Sequence, residues 1–357
     1  MKILNVSLDP ESGNSDSKVS GRFKDYGSLV EKYDILTLGS QAQTYDLKPN
    51  VTVTVLKRSN KLSDFFMISK EAFKLLRHKK YDLITIADPY FMGLKMLKIA
   101  RLCGVAIEIQ VHGFEKLHGI RKMVARFVLR HADGVRVVSG RLQKQLVEEF
   151  GVKQEKITAV PIFVPTSLHA RAKQNNKFTF LMVSRLVPVK NISFAIKAFK
   201  KVVENHDAEL KIVGDGPERE KLESLVKELK LEGKVKFLGK QTDVGSFYQS
   251  ADAFLLTSEM EGWPLVIMEA LSYGLPIIIT PVGQVGEILF DNINALVVPQ
   301  GDVEALSSAM TRFTQDDNLR QRLSTRAKET IEKLPSKEEI LKKYLLSWEL
   351  TLKNSTK

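Results

Sequence analysis

The chain is poor in the residues that build metal centres and covalent cross-links. Its 357 residues include one cysteine, Cys103, which excludes a disulfide framework and a four-thiolate zinc site. Six histidines are present, and none falls in a His-x-Glu, His-Glu-x-x-His or Cys-x-x-Cys pattern, so no metal ligand set is expected. No apolar run approaches the roughly 18 residues of a membrane-spanning helix. The first such stretch, Ile3 to Leu8, stops at Asp9-Pro10 and is too short for a signal peptide. A cytoplasmic protein is therefore expected, either free or peripheral on a membrane surface. Internal repeats of 20 to 50 residues and low-complexity tracts are also missing, which excludes solenoids and propellers.

What remains is an ordinary globular composition, 43% hydrophobic and 27% charged, with 21 Gly and 12 Pro. At about 150 residues per domain, the length suggests two domains. Charge is abundant and uneven: 54 Lys and Arg against 42 Asp and Glu give +12. Residues 1 to 170 hold 27 basic and 17 acidic side chains, a net of +10, and the remainder is nearly neutral at +2. A basic half predicts an anionic partner, whether nucleic acid, anionic lipid or a phosphorylated ligand.

Short β-branched runs alternate with amphipathic stretches along almost the whole chain, as βαβ units and parallel sheets require. The first series has strands at Lys2-Val6, Asp34-Leu38, Val51-Leu56, Asp82-Ile86, Val105-Val111, Gly134-Val138 and Ile157-Val160, with helices near 68–79, 91–102, 119–131 and 139–150. The second has strands near Phe178-Val183, Glu209-Val213, Val235-Leu238, Ala253-Leu256, Pro276-Ile279 and Ala295-Val298. Its helices are expected near 190–205, 217–230, 243–249, 264–273 and 302–315. Pro161 to Pro165 and the polar segment Thr166-Lys177 read as the linker. A last helix, about 338–352, carries Leu341, Tyr344, Leu345, Trp348 and Leu352 at helical spacing, so its apolar face is buried on one domain or the other. The expected fold class is α/β: two doubly wound Rossmann-like domains, 1–165 and 166–337, facing a central cleft, with the helix at 338–357 free to pack back onto the first. In such folds ligands bind beyond the carboxyl ends of the strands.

Two clusters could do chemistry there. In the first, a strand runs out at Thr257, a loop carries Glu261-Gly262, and Pro264 opens a helix containing Glu269. Free N–H groups and the positive end of that helix suit a phosphate, while the two acids suit hydroxyls of a polyol attached to it. An ordinary acidic helix start would look the same. In the second, Arg185 and Lys190 flank a Pro-containing loop after the strand ending at Val183. A guanidinium fork and a point charge together suit a diphosphate, and a solvated surface loop is the other reading.

Arg185 with Lys190, Ile212-Val-Gly-Asp-Gly-Pro217, Val235-Lys-Phe-Leu-Gly239, the Glu261-x7-Glu269 pair, Gly274-Leu-Pro276 and Thr280-Pro-Val-Gly-Gln-Val-Gly-Glu287 occur in that order. Together they closely resemble the retaining enzymes of glycosyltransferase family 4, which have the GT-B fold. The resemblance is specific over about 178–315 and looser before it. It implies that Arg185 and Lys190 neutralise the donor diphosphate, that Glu261 binds donor sugar hydroxyls, and that Glu269 holds the ribose. It places the backbone amides around Gly262-Leu265, a stretch that includes Trp263 and Pro264, at the phosphate, and Lys240 and Gln241 at the base pocket. The Gly214-Asp-Gly216 turn, and Glu287 at an expected helix start, read as structural.

The first half departs from the family in one respect. The loop after the first strand, Asp9 to Asp16, holds the single glycine Gly13 where many members carry Gly-Gly for close approach to the donor phosphate. Val111-His112-Gly113-Phe114-Glu115 is the stronger match and implies that His112 contacts the transferred sugar or its phosphate. Taken without the family, His112 reads as a strand-end residue capping backbone groups. Asp88, before Pro89, reads as a turn former on the acceptor side.

No carboxylate nucleophile stands out, so the resemblance implies front-face displacement from a UDP- or GDP-sugar, without a cofactor or divalent metal. The implied product is a glycan or lipid-linked acceptor extended for cell-surface polysaccharide or glycolipid synthesis. An anionic membrane would meet the basic first domain. Its candidate contacts are Lys122, Arg126 and Arg130 beside Phe127, and Lys57, Arg58 and Lys61 before Phe65-Phe66-Met67. A nucleotide-sugar epimerase or phosphorylase would share this architecture. Nucleic acid is not an expected partner, because no recognised binding motif accompanies the positive charge.

Overall fold

The computed structural model describes residues 1–114, 117–164, 168–169 and 177–355. The chain divides into two compact units, Met1–Pro161 with Pro335–Lys357, and Ile162–Leu334. The expected linker Thr166-Lys177 and the end of the His112 motif, Glu115, lie largely outside the described residues. His169 is described, and its ring stacks on Tyr273 at 4.5 Å within the second unit.

In the first unit the elements run β1 (Lys2–Val6), α1 (Lys18–Gly27), β2 (Lys32–Gly39), β3 (Gln43–Lys48), β4 (Val51–Lys57), α2 (Lys61–His78), β5 (Leu83–Ile86), α3 (Phe91–Cys103), β6 (Ala106–Val111), α4 (Gly119–His131), β7 (Gly134–Val137), α5 (Gly140–Glu148) and β8 (Ile157–Ala159). They form one eight-stranded sheet of order β3-β4-β2-β1-β5-β6-β7-β8. Only β3 is antiparallel, paired to β4 at the edge. The central strands are buried on both faces and mostly apolar, with Ile3, Leu4, Ile84, Ile86, Ile107 and Ile109 fully buried, as a sheet covered on both sides demands.

The second unit continues with β9 (Phe178–Val183), α6 (Ile192–Val202), β10 (Ala208–Val213), α7 (Arg219–Glu228), β11 (Val235–Phe237), α8 (Gly245–Ser250), β12 (Ala253–Leu256), α9 (Leu265–Ser272), β13 (Ile277–Ile279), β14 (Leu296–Val297), α10 (Val303–Gln315) and α11 (Asp317–Glu332). Six parallel strands run in the order β11-β10-β9-β12-β13-β14. One face packs on Phe194, Phe199, Leu222, Met310 and Phe313. The other packs on Tyr248, Ile267, Met268, Leu271 and Ile331. Both units are thus doubly wound α/β sheets.

α12 (Lys337–Ser355) returns to the first unit and lies on β6, β7 and β8. Trp348 is fully buried there, and Tyr344 bonds the Tyr26 hydroxyl at 2.8 Å. The backbone passes so close that a Cβ on Gly134 would meet Thr351 Oγ1 at 1.9 Å. Three elements differ from expectation by omission: α1, α11 and β3. A fourth, α2, begins seven residues before the expected 68, because Asn60 caps it by accepting from the Ser63 N–H at 3.0 Å. Phe65, Phe66 and Met67 are therefore helical.

Candidate active site

Strand order reverses between β9 and β12 in the second sheet, and the chain leaving each strand passes to opposite faces. That arrangement opens a crevice at the carboxyl ends of these two strands. The loop after β9 carries Ser184 to Lys190 and turns into α6 through Asn191, held at φ 45°. The loop after β12 carries Thr257 to Pro264 and turns into α9. The two are laced together: the Thr257 hydroxyl donates to the carbonyls of Lys190 (3.1 Å) and Asn191 (3.2 Å), and the Glu259 N–H donates to Val189 O (2.8 Å). This lacing brings Lys190 Nζ to 2.5 Å from Glu261 Oε1, which also accepts from the Ser258 hydroxyl at 2.6 Å. Side-chain exposures of 16% and 12% leave the pair reachable from solvent yet mostly desolvated. Arg185 is exposed on the same loop, five residues earlier.

Gly262, Trp263 and Pro264 lead directly into α9, whose start at Leu265 has no side-chain cap. Its first N–H groups and its dipole are therefore available to an anion. The Thr280-to-Glu287 segment fixes this approach. Gln284 donates to Pro264 O at 3.1 Å, and Gly283, at φ +57°, lies where a Cβ would stand 2.5 Å from the Pro264 ring. Glu287 sits in a turn rather than at a helix start, its N–H donating to Gln284 O at 3.0 Å, which corrects that expectation. The Gly214-Asp-Gly216 turn is a packing device: Cβ atoms there would fall 1.8 Å from Ser184 O and 2.4 Å from Leu186 O.

Glu269 is half-buried within α9 and accepts from the Tyr248 hydroxyl at 2.8 Å. Burial, then the Glu269 charge, pushes the Tyr248 phenol well up, so it remains a donor. Tyr248 was invisible to motif reading, because a tyrosine inside the short helix α8 announces no partner. Lys240 and Gln241 are exposed at the carboxyl end of the edge strand β11, and the Gln241 amide donates to Leu238 O at 2.6 Å.

Two predicted residues belong to the first unit. Gly13 ends a single 3-10 turn, Pro10–Gly13, and a Cβ there would make only an ordinary 3.5 Å contact with Val55, so the fold does not demand glycine. His112 follows the last residue of β6. The residue is exposed, yet loss of hydration among its neighbours, then the charges of Arg136 and Arg22, lowers the imidazole to about 4. Sequence reasoning missed the polar group behind it. Arg136 Nε pairs with Glu108 Oε2 at 3.3 Å in the core of the unit, Glu108 accepts from Thr85 (2.9 Å) and from Ser347 of α12 (2.5 Å), and the guanidinium lies 4.0 Å from the Tyr344 ring centroid. The basic row on α4 is also partly structural. Arg126 and Arg130 donate to the carbonyls of Glu149 (2.7 Å) and Gly151 (3.2 Å), and Lys122 faces Glu149 at 3.9 Å.

Among the described residues, no three His, Cys, Asp or Glu side chains group to hold a metal, and no helix is long and apolar enough to cross a membrane. Two families match successive parts of the chain: Glycosyltransferase Family 4 over residues 32–168 and Glycosyl transferases group 1 over residues 165–330. The sequence is 34% identical to N-acetyl-alpha-D-glucosaminyl L-malate synthase of Bacillus anthracis over 162 residues, 45% of this chain and 42% of that one. The chain thus spans less than half of that relative's length. It is 27% identical to UDP-Gal:alpha-D-GlcNAc-diphosphoundecaprenol alpha-1,3-galactosyltransferase of Escherichia coli over 268 residues, 68% of this chain and 69% of that one. Sucrose-phosphate synthase of Thermosynechococcus elongatus shares the fold with a TM-score of 0.80 at 19% identity, over 96% of this chain and 97% of that one. The chain belongs to family 4 of the glycosyltransferases and has their GT-B fold.

Proposed function

We propose that the protein is a retaining glycosyltransferase. It moves a sugar from a UDP- or GDP-sugar to a hydroxyl of a lipid-linked or other glycan acceptor in cell-surface polysaccharide or glycolipid synthesis. The observation that carries this reading is the Lys190–Glu261 pair at the strand-order reversal, beside the uncapped start of α9. Lys190, Arg185 and the α9 amides receive the donor diphosphate, Glu261 accepts from sugar hydroxyls, Glu269 from the ribose, and Lys240 and Gln241 flank the base. The bond from the anomeric carbon to the diphosphate oxygen breaks as the acceptor oxygen bonds the same face, and the acceptor proton passes to the departing phosphate. Catalysis is then leaving-group stabilisation and positioning, with neutral His112 hydrogen-bonding the sugar or phosphate. These cations take the role a divalent metal plays elsewhere, so turnover is expected to survive EDTA.

The Escherichia coli relative is named for a UDP-sugar donor and a diphospholipid-linked acceptor, which supports the same chemistry here. Exposed Leu62, Phe66, Ile120, Met123 and Phe127 among basic residues support peripheral contact with an anionic membrane on its cytoplasmic face. A thermal-shift panel of UDP-, GDP- and ADP-sugars tests the donor half. The cognate donor at a hundredfold excess over its Kd should add about 2.7 kcal/mol, or roughly 5–10 °C. Lys190→Ala should erase that shift, and an equal shift in the variant would contradict the assignment.

A further inference from the structure

The first sheet has a strand-order reversal of its own, between β1 and β5, and the chain leaving these strands borders a cavity of about 880 Å³. All of its lining residues belong to the first unit. Three are cations: Arg58 after β4, Lys61 at the start of α2, and Arg121 at the start of α4. Among the described residues no carboxylate pairs with Arg58 or Lys61. The Arg121 guanidinium lies 3.7 Å from the centroid of the Tyr90 ring, which forms another part of the lining. The two acids of the cavity are turned to backbone: Asp64 accepts from the Ser59 N–H at 2.8 Å, and Asp88 from the Tyr90 N–H at 2.5 Å. Asp88 also feels the charge of Arg121, so the three cations exceed the two acids by one and leave a net positive lining.

Ser59 and Asn60 add polar lining, and the rest of the wall is apolar, chiefly Leu8, Leu38, Phe65, Ile68 and Met92. The starts of α2, α3 and α4, which give Lys61, Phe91 and Arg121 to the lining, expose Leu62 (69%), Phe66 (59%), Phe91 (53%), Ile120 (70%) and Met123 (71%). A neutral sugar would leave the three cations without a counter-charge, and a free anion would leave the apolar part unused. Cations and apolar surface in one cavity match an amphiphile with a phosphorylated head.

We infer that this cavity binds the phosphorylated head of a lipid-linked acceptor, with Arg58, Lys61 and Arg121 as its anion clamp and the exposed apolar rim on the lipid. The inference rests on the transferase reading for the identity of the ligand as an acceptor, but its test needs no donor chemistry. Calorimetry of the full chain with farnesyl diphosphate below its micelle concentration is the direct measurement, with farnesol and inorganic pyrophosphate in parallel. Farnesyl diphosphate should bind more tightly than either fragment. Arg58→Ala/Lys61→Ala/Arg121→Ala, all at exposed positions, should weaken it about a hundredfold while leaving UDP binding unchanged, which shows that the variant is folded. Phe65→Ala should weaken farnesyl diphosphate and not pyrophosphate. Equal binding by the triple variant, or pyrophosphate binding as tightly as the lipid diphosphate, would overturn the inference. If the triple variant loses the lipid diphosphate and the wild type never releases nucleoside diphosphate from a donor, the cavity stands and the transferase reading fails. If transfer proceeds and the triple variant matches wild type, the reverse holds.

Discussion

A lysine ammonium 2.5 Å from a carboxylate, with both largely withdrawn from water, is held until a stronger anion competes for the cation. On the proposed reading Glu261 pre-positions Lys190 and keeps its Ser258 partner when Lys190 turns to the donor phosphate. His112 is set in the opposite way, by keeping charge off it. Its folded-state value of about 4 lies below the usual imidazole value near 6.5, so the native protein binds fewer protons than the unfolded chain between those limits. Its contribution to stability is complete above about pH 6.5 and is lost as pH falls through 4. In proton NMR the His112 ring should titrate near 4, and His112→Gln should lose less stability than wild type from pH 6.5 to 4. A His112 midpoint near 6.5 would contradict this environment. Arg185, Lys190 and Glu261 were legible in the sequence because each sits in a loop after an apolar strand, and Glu269 because it stands at a fixed spacing inside the helix that follows. Glu108 and Arg136 were not, because charges inside β6 and β7 carry no sign of the residue opposite, and Ser347 lies 239 positions away from Glu108.

At the scale of elements, α12 shows most plainly how burial and close approach fix a helix. Gly134 faces Thr351 where no methyl fits, so Gly134→Ala should destabilise by about 1–3 kcal/mol. Thr351→Ala placed beside it should recover part of that loss. Trp348 is fully buried but its indole N–H has no partner among the described residues, so Trp348→Phe should cost under about 1.5 kcal/mol and Trp348→Ala about 3–5 kcal/mol. Denaturant melts of the four variants check both orders, and a Trp348→Phe as damaging as Trp348→Ala would contradict the packing. The amphipathic stripe of α12 was readable; the surface it covers was not, since either sheet offered an apolar face. The missed elements share one cause. α1 buries a single large apolar side chain, Phe23, α11 buries only the narrow row Leu319, Leu323, Ala327 and Ile331, and β3 is a polar edge strand with nothing buried. Their apolar signal is too thin for periodicity to register.

Over the whole molecule, alternation of strand and helix gave two doubly wound sheets, and each sheet reverses strand order once. At the reversal of the nearly neutral second unit stands the specific Lys190–Glu261 pair, and at that of the basic first unit stands the cavity of Arg58, Lys61 and Arg121. The +10 of the first 170 residues divides accordingly. Arg126 and Arg130 hold α4 to the carbonyls after α5, while Arg58, Lys61 and Arg121 line the cavity. Charge asymmetry was legible in the sequence, but this division was not, because spacing does not say which cation meets a carbonyl. The most direct measurement is NMR of the full chain with its stabilising nucleotide sugar and a lipid-diphosphate-linked sugar acceptor. Equal amounts of nucleoside diphosphate and of product carrying the donor's own anomeric configuration, with no release when the acceptor is omitted, is the predicted result. Inversion at the anomeric carbon, or sugar epimerised without any acceptor, would contradict retaining transfer.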